Sequence, residues 1–237
     1  MQLIWNEEFD YEGFPDPEKW TFEIQDPKWV NEELQHYVKD LKNCHVVNNF
    51  LTIKAHYNQK SHQRFTSSRI KTQFKGDWLY GRMEIRALIP QGRGTWPAIW
   101  AMPTHSKYGD WPKSGEIDIM EHVGHNPGFI HGSIHCADYC WKQGTEKSAK
   151  IYKSSVKDRF HTYFLNWSEN KIEIGIDNQI YFEYQKPNRS TPANWPFDQP
   201  FYLILNIAIG GTWGGEKGID KDSFPQKMLI DYVRIYR

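Results

Sequence analysis

The chain carries no net charge, since 29 acidic residues balance 29 basic ones over 237 positions. Binding to nucleic acid or to an anionic membrane draws on an excess of Lys and Arg, so neither partner is expected. Strongly sulfated polymers are disfavoured on the same ground, whereas a neutral polymer is not. No apolar run of about 18 residues occurs, which removes a membrane-spanning helix, and the N-terminus lacks the basic and apolar regions of a secretory signal. Cysteine is scarce. Cys44, Cys136 and Cys140 make an odd set that allows at most one disulfide, and free thiols are expected. The ten histidines form no H-E-x-x-H or comparable spacing, so a catalytic transition metal is not expected. Helix-period stretches are few, and no linker, internal repeat or low-complexity tract divides the sequence. One all-β domain over residues 1–237 is therefore expected.

Aromatic residues, by contrast, are abundant. The 11 Trp, 13 Tyr and 13 Phe make up 16% of the chain, more than a core of this size needs, and ligand clefts are aromatic with few polar groups. Strand patterns follow one another at short intervals over residues 3–9, 43–49, 50–57, 78–90, 160–167, 171–177, 179–184, 201–209 and 227–236. Ser168-Glu169-Asn170 and Asp177-Asn178 read as hairpin turns. Two packed sheets, a β-sandwich of jelly-roll type, accommodate this many alternating strands.

The chemistry concentrates in Gly115-Glu116-Ile117-Asp118-Ile119-Met120-Glu121, where three carboxylates stand in an apolar run. Alternation puts Glu116 and Asp118 on one face of a strand and Ile117 and Ile119 on the other. Glu121 falls one position out of phase, so a bulge near Ile119 or Met120 is predicted to return it to the acidic face. Glu116 and Glu121 are then about 13 Å apart at Cα, at ~3.3 Å per residue, and inward-leaning side chains can close that gap. Two carboxyl groups about 5 to 5.5 Å apart suit a retaining glycosidase, one attacking the anomeric carbon and the other protonating the leaving oxygen. Asp118 between them raises the pKa of its neighbours and helps keep one ionised and another protonated. A solvated acidic strand, or an acidic metal site built from the same side chains, is the plainer alternative. No D-x-[DN]-x-[DN]-G calcium loop accompanies it.

Upstream, Trp96-Pro97-Ala98-Ile99-Trp100 supplies two indoles on which pyranose rings can stack. With the acidic run and with Asp231-Tyr232-Val233-Arg234-Ile235-Tyr236, this segment resembles glycoside hydrolase family 16, specifically its laminarinase-like endo-β-1,3-glucanases. Further segments fit in order along nearly the whole chain. They include Trp5-Asn6-Glu7-Glu8-Phe9, Glu33-Leu34-Gln35 with Tyr37, Ser67-Ser68-Arg69, Tyr80-Gly81-Arg82, His131-Gly132-Ser133-Ile134-His135 and Leu205-Asn206-Ile207-Ala208-Ile209-Gly210-Gly211.

The resemblance implies a jelly-roll sandwich whose curved inner sheet forms an open cleft for a β-glucan polysaccharide. Endo-hydrolysis of β-1,3 linkages in laminarin-like glucans follows, with mixed-linkage β-1,3-1,4-glucan as a further substrate. The bulged form of the acidic strand typifies laminarinases and agarases, and the unbulged form typifies lichenases. Glu116 takes the place of the nucleophile, Asp118 that of the assisting acid and Glu121 that of the general acid/base. Trp96, Trp100 and Trp111 match aromatic residues of glycone subsites, Arg69 a polar residue beside them, and His135 a position near the scissile bond. Asn31 matches a sugar-contacting loop in which Glu32 replaces a second Asn. No cofactor is expected for catalysis. One structural calcium is compatible with Glu8, Asn49 and Asp231. A secreted monomer is expected, because polymer substrates lie outside cells, with the signal absent from this chain. Two alternatives stay open: a galactan (agarose-type) endo-hydrolase of the same family, and a non-catalytic β-glucan-binding module.

Overall fold

The strand Phe201–Ile209 is buried at all nine positions, as expected of a strand covered on both faces. In a computed structural model describing residues 1–237, it lies inside an eight-stranded antiparallel sheet. That sheet runs in the order Lys147–Tyr152, Phe129–His135, Glu116–Glu121, Thr95–Pro103, Phe201–Ile209, Arg69–Lys71 and Thr21–Phe22, with Asp77–Trp78 also paired to Phe201–Ile209. A ten-stranded sheet packs against it. Its order is Gln179–Gln185, Lys171–Ile176, His161–Trp167, Gly81–Leu88, Gln226–Tyr236, Phe50–Tyr57, Phe65–Ser67 and His36–Tyr37, with Leu3–Glu7 and Cys44–Val47 pairing off this path.

The core is the layer between the sheets. Ile99, Ile117, Leu203 and Leu205 from the first sheet join Met83, Ile85, Leu165 and Val233 from the second in one cluster of 41 buried residues. Strand alternation therefore leaves the other face of the eight-stranded sheet free to carry polar and aromatic side chains. All three cysteines are free and buried.

The bulge expected near Ile119 is present. Ile99 pairs with Met120 while the next residue, Trp100, pairs with Asp118, so Ile119 is the extra residue. Ile119 and Met120 both point into the core at 0% exposure, and the phase slip returns Glu121 to the face of Glu116 and Asp118. Gly115 opens this strand at φ 93°, where an added Cβ would lie 3.1 Å from Phe197, Phe201 and Pro196. Only glycine takes that conformation without strain at so close an approach.

The hairpins behave as their residues suggest. Asn48 and Asn49 both adopt positive φ (53° and 62°) in the two-residue turn that pairs Val47 with Phe50. One expected strand is divided. Residues 78–90 split into Asp77–Trp78 in the eight-stranded sheet and Gly81–Leu88 in the ten-stranded one. The crossover uses Tyr80 and Gly81 at positive φ, and a Cβ on Gly81 would meet the Tyr236 carbonyl oxygen at 2.4 Å. Lys147–Tyr152 is not marked by the sequence, because its two lysines and the lack of any fully buried position leave an edge strand without an apolar stripe.

The residues named for calcium do not form a cation cage through their side chains. Both Glu8 carboxylate oxygens accept hydrogen bonds from Arg234, at 2.9 and 2.8 Å, and Asp231 Oδ2 accepts from Arg86. The Arg234 contact holds the Glu8 carboxyl below the usual carboxylate range. A guanidinium already engages each carboxylate, so a calcium ion here would rest on backbone carbonyls more than on these side chains. Asn49, at φ 62° in the hairpin turn, would offer such a carbonyl.

Candidate active site

The polar face of the eight-stranded sheet is the floor of a cleft of about 390 Å³. Its centre follows from pairing register. Glu116 stands opposite His135, Asp118 lies between Trp100 and Ser133, and Glu121 lies between Ala98 and His131. Ala98, Ala208 and Ser133 are small, which leaves space above the floor between the two tryptophans of Thr95–Pro103 and the acids.

Each glutamate is held by its own indole. Trp111 Nε1 donates to Glu116 Oε2 at 2.6 Å, and Trp96 Nε1 donates to Glu121 Oε1 at 3.0 Å. Asp118, 3% exposed, accepts from Ser133 Oγ at 2.7 Å and meets His135 Nε2 at 3.3 Å. His135 Nε2 also lies 3.9 Å from Glu116 Oε1. The spacing inferred from sequence thus brings Glu116, Asp118, Glu121, Trp96, Trp100, Trp111 and His135 to one centre.

Electrostatics separate the roles of the acids. Burial, then the charge of Asp118, pushes Glu116 up to about 8, while the His135 charge and the Trp111 hydrogen bond work in the opposite direction. Burial and Asp118 also raise Glu121 well above the usual range, with the Glu116 charge adding to the shift. Burial disfavours a cationic His135, but the Asp118 hydrogen bond and the charges of Asp118, Glu116 and Glu121 outweigh it and push His135 up to about 10. The imidazolium stands beside Glu116 and Asp118, so the Glu116 anion has closer support than the Glu121 anion. On that geometry Glu116 ionises first and Glu121 keeps its proton longer.

Glu116, Asp118 and His135 place ligand atoms within 4.8 Å of one another, so a metal can be drawn there. The existing partners argue otherwise. Trp111, Ser133 and the His135 imidazolium already supply donors to these carboxylates, and a cationic His is not a ligand.

Trp100 and Arg69 extend the floor to one side. Trp100 Nε1 donates to Asn206 Oδ1 at 2.8 Å, and Asn206 Nδ2 in turn donates to Tyr37 Oη at 3.0 Å. Tyr37 Oη reaches Glu33 Oε2 at 3.3 Å, an acid whose pKa is raised by burial. This buried polar chain fixes the Trp100 ring plane. Arg69 pairs with Glu23 and stacks its guanidinium between Trp100 and Trp29, 4.6 and 4.9 Å from the ring centroids. Asn31 also reaches the cleft, with a left-handed φ of 51° and its amide donating to Glu33 Oε1 at 3.3 Å. Glu32 points away, where it pairs with Lys28 at 3.7 Å.

Trp213 was missed from sequence. It packs edge-on against Trp96 with centroids 5.4 Å apart, and against His131 at 4.9 Å. The signal was its setting in Gly210-Gly211-Thr212-Trp213-Gly214-Gly215, a glycine-rich turn that carries a single large side chain.

Two partly buried glutamates, each anchored by an indole on the floor of an aromatic cleft in a two-sheet jelly roll, define the class. The glycosyl hydrolases family 16 model matches residues 28–234, and the chain belongs to that family. It is 44% identical over 243 residues to a beta-glucanase of Rhodothermus marinus, aligning along 100% of this chain and 85% of that protein. The laminarinase structure from Rhodothermus marinus superposes with a TM-score of 0.96 at 43% identity, covering 100% of this chain and 97% of that one. SCLam, a non-specific endo-beta-1,3(4)-glucanase, superposes with a TM-score of 0.94 at 40% identity, covering 100% and 91%.

Proposed function

We propose that the protein is a retaining endo-β-1,3-glucanase that cleaves laminarin-like polymers within the chain. The observation that carries the reading is the pair Glu116 and Glu121, each partly buried on either side of Asp118 and each hydrogen-bonded to a separate tryptophan. In the first displacement Glu116 Oε1 or Oε2 attacks the anomeric carbon while Glu121 gives its proton to the departing glycosidic oxygen. In the second, Glu121 takes a proton from water, whose oxygen releases the sugar from Glu116 with the original configuration restored. Asp118 and His135 hold the charge balance between the two acids, and neither forms a bond to the sugar.

The endo action in the name of SCLam supports cutting inside a polymer. The names of the relatives support β-1,3-glucan as the substrate, and the 1,3(4) specificity of SCLam supports added activity on mixed-linkage glucan. Because such polymers are too large to enter a cell, the protein acts outside it, as a monomer whose cleft needs no second chain.

The test is parallel incubation with laminarin, lichenan, carboxymethylcellulose and agarose, with Glu116→Gln as control and products read by chromatography. Laminari-oligosaccharides from the wild type alone support the reading. Agarose products alone transfer the mechanism to a galactan, and gel retardation on glucan without any product returns the protein to a binding module.

A further inference from the structure

The cleft is unequal on its two sides. On the side of Thr95–Pro103 and Arg69–Lys71 stand Trp96, Trp100 and the Arg69 stack, all fixed by hydrogen bonds or ion pairs. On the other side, past Phe129–His135, stands the edge strand Lys147–Tyr152 and the turn that precedes it. A double-displacement enzyme must grip the glycosyl half through two steps while the other half leaves and water enters. The densely anchored side therefore suits the glycosyl half, and the sparse side suits the leaving and accepting half.

The sparse side is not bare. Trp141 lies on a short 3-10 turn, Trp141–Gln143, remains 41% exposed and lines the cleft. The turn is built to hold it. Gly144 closes it at φ 64° with its N–H on the Trp141 carbonyl, and Cys140 N–H donates to Thr145 Oγ1 at 3.0 Å. Buried Cys140 and the Asp138 N–H bond to the Ala193 carbonyl tie the segment to the body. Lys142 Nζ lies 4.9 Å from the Trp111 ring centroid and 5.6 Å from that of Trp141, bridging the new indole to the one that holds Glu116.

Glu146 gives the second, independent sign. Its Oε2 is buried in the cleft wall with no hydrogen-bond partner. A buried carboxylate oxygen without a donor is costly, and a sugar hydroxyl is the donor a glucan would bring. Ser148, paired with Ser133 beside Asp118, continues the floor toward it. Two strand spacings of ~4.8 Å separate this floor from the catalytic strand, enough to pass the first sugar beyond the scissile bond.

We infer that Trp141 and Glu146 form an acceptor-side sugar subsite, the indole stacking on a glucosyl ring and the carboxylate accepting one of its hydroxyls. The inference rests on the glucanase reading above. Endo cutting positions are then set from this side as well as from the anchored side.

The test uses laminarihexaose labelled at its reducing end, with β-laminaribiosyl fluoride as a substrate that places no sugar beyond the scissile bond. Trp141→Ala and Glu146→Gln are each expected to move cleavage toward the labelled end. The ratio of hexaose turnover to fluoride turnover is expected to fall about five- to tenfold for Trp141→Ala, the scale of one lost aromatic contact. A wild-type cleavage pattern in both variants, or a shift away from the label, overturns the inference. Glu146→Gln preserves shape and keeps the test decisive if Trp141→Ala does not fold. Wild-type protein that releases neither oligosaccharide nor fluoride marks failure of the glucanase reading instead, and this subsite falls with it.

Discussion

Trp111 Nε1 donates to Glu116 Oε2 at 2.6 Å, so an indole five residues upstream of the proposed nucleophile is its hydrogen-bond donor. The donor to the attacking carboxylate is thus set by the turn that precedes the catalytic strand. A hydrogen bond to a charged group contributes about 1.5–3 kcal/mol.

Trp111→Phe keeps the ring and removes the donor. Turnover is expected to fall about ten- to a hundredfold. The Trp111 bond lowers the Glu116 pKa, so its loss moves the limb of the pH profile that reports nucleophile ionisation to higher pH. Kinetics of laminarin hydrolysis across pH check both; a changed KM with an unmoved profile would assign Trp111 to sugar contact alone.

Asp118→Asn removes the charge that raises both glutamates. Glu116 and Glu121 are then expected to titrate at lower pH, and the whole activity profile moves to the acid side. His135 loses its closest anionic partner and its pKa falls from about 10. Activity is expected to drop less than in Glu116→Gln, because Asp118 acts through its charge. A profile at the wild-type position would remove Asp118 from that role.

His122 is expected to weaken the fold on acidification. It is 0% exposed with both ring nitrogens unpartnered, and burial, then the charges of His131 and His125, lowers it to about 3. Unfolded, it titrates near 6.5, so its contribution is intact above that pH and is lost as pH falls toward 3. His131, lowered to about 4, works in the same direction. His122→Phe is expected to gain stability relative to wild type on acidification, on the order of 3 kcal/mol between pH 6.5 and 4. Urea unfolding at the two pH values measures it, and an equal difference at both would exclude His122 as the titrating group.

The acidic run was legible because three facts coincide within seven residues: alternation, one phase error and carboxylates where a core strand should be apolar. The bulge at Ile119 followed from that phase error alone. What sequence could not show are the partners brought from afar. Trp96 reaches Glu121 across 25 residues, and Trp100 reaches Asn206 across 106. Glu8 and Asp231 illustrate the same limit in the other direction. As sequence they are two acids compatible with a cation; in the fold Arg234 and Arg86 lie against them. Pairing register decides which charges meet, and that register depends on the whole sheet.

The assignment of Glu116 as the covalent nucleophile is tested most directly by trapping. A 2-deoxy-2-fluoro-β-laminaribiosyl fluoride slows release of the glycosyl-enzyme more than its formation, and mass spectrometry of the digested protein locates the label. Attachment at Glu116, with the β-anomer released first from natural substrate, is the expected result. A label on Asp118 or Glu121, or no label together with first release of the α-anomer, would contradict it.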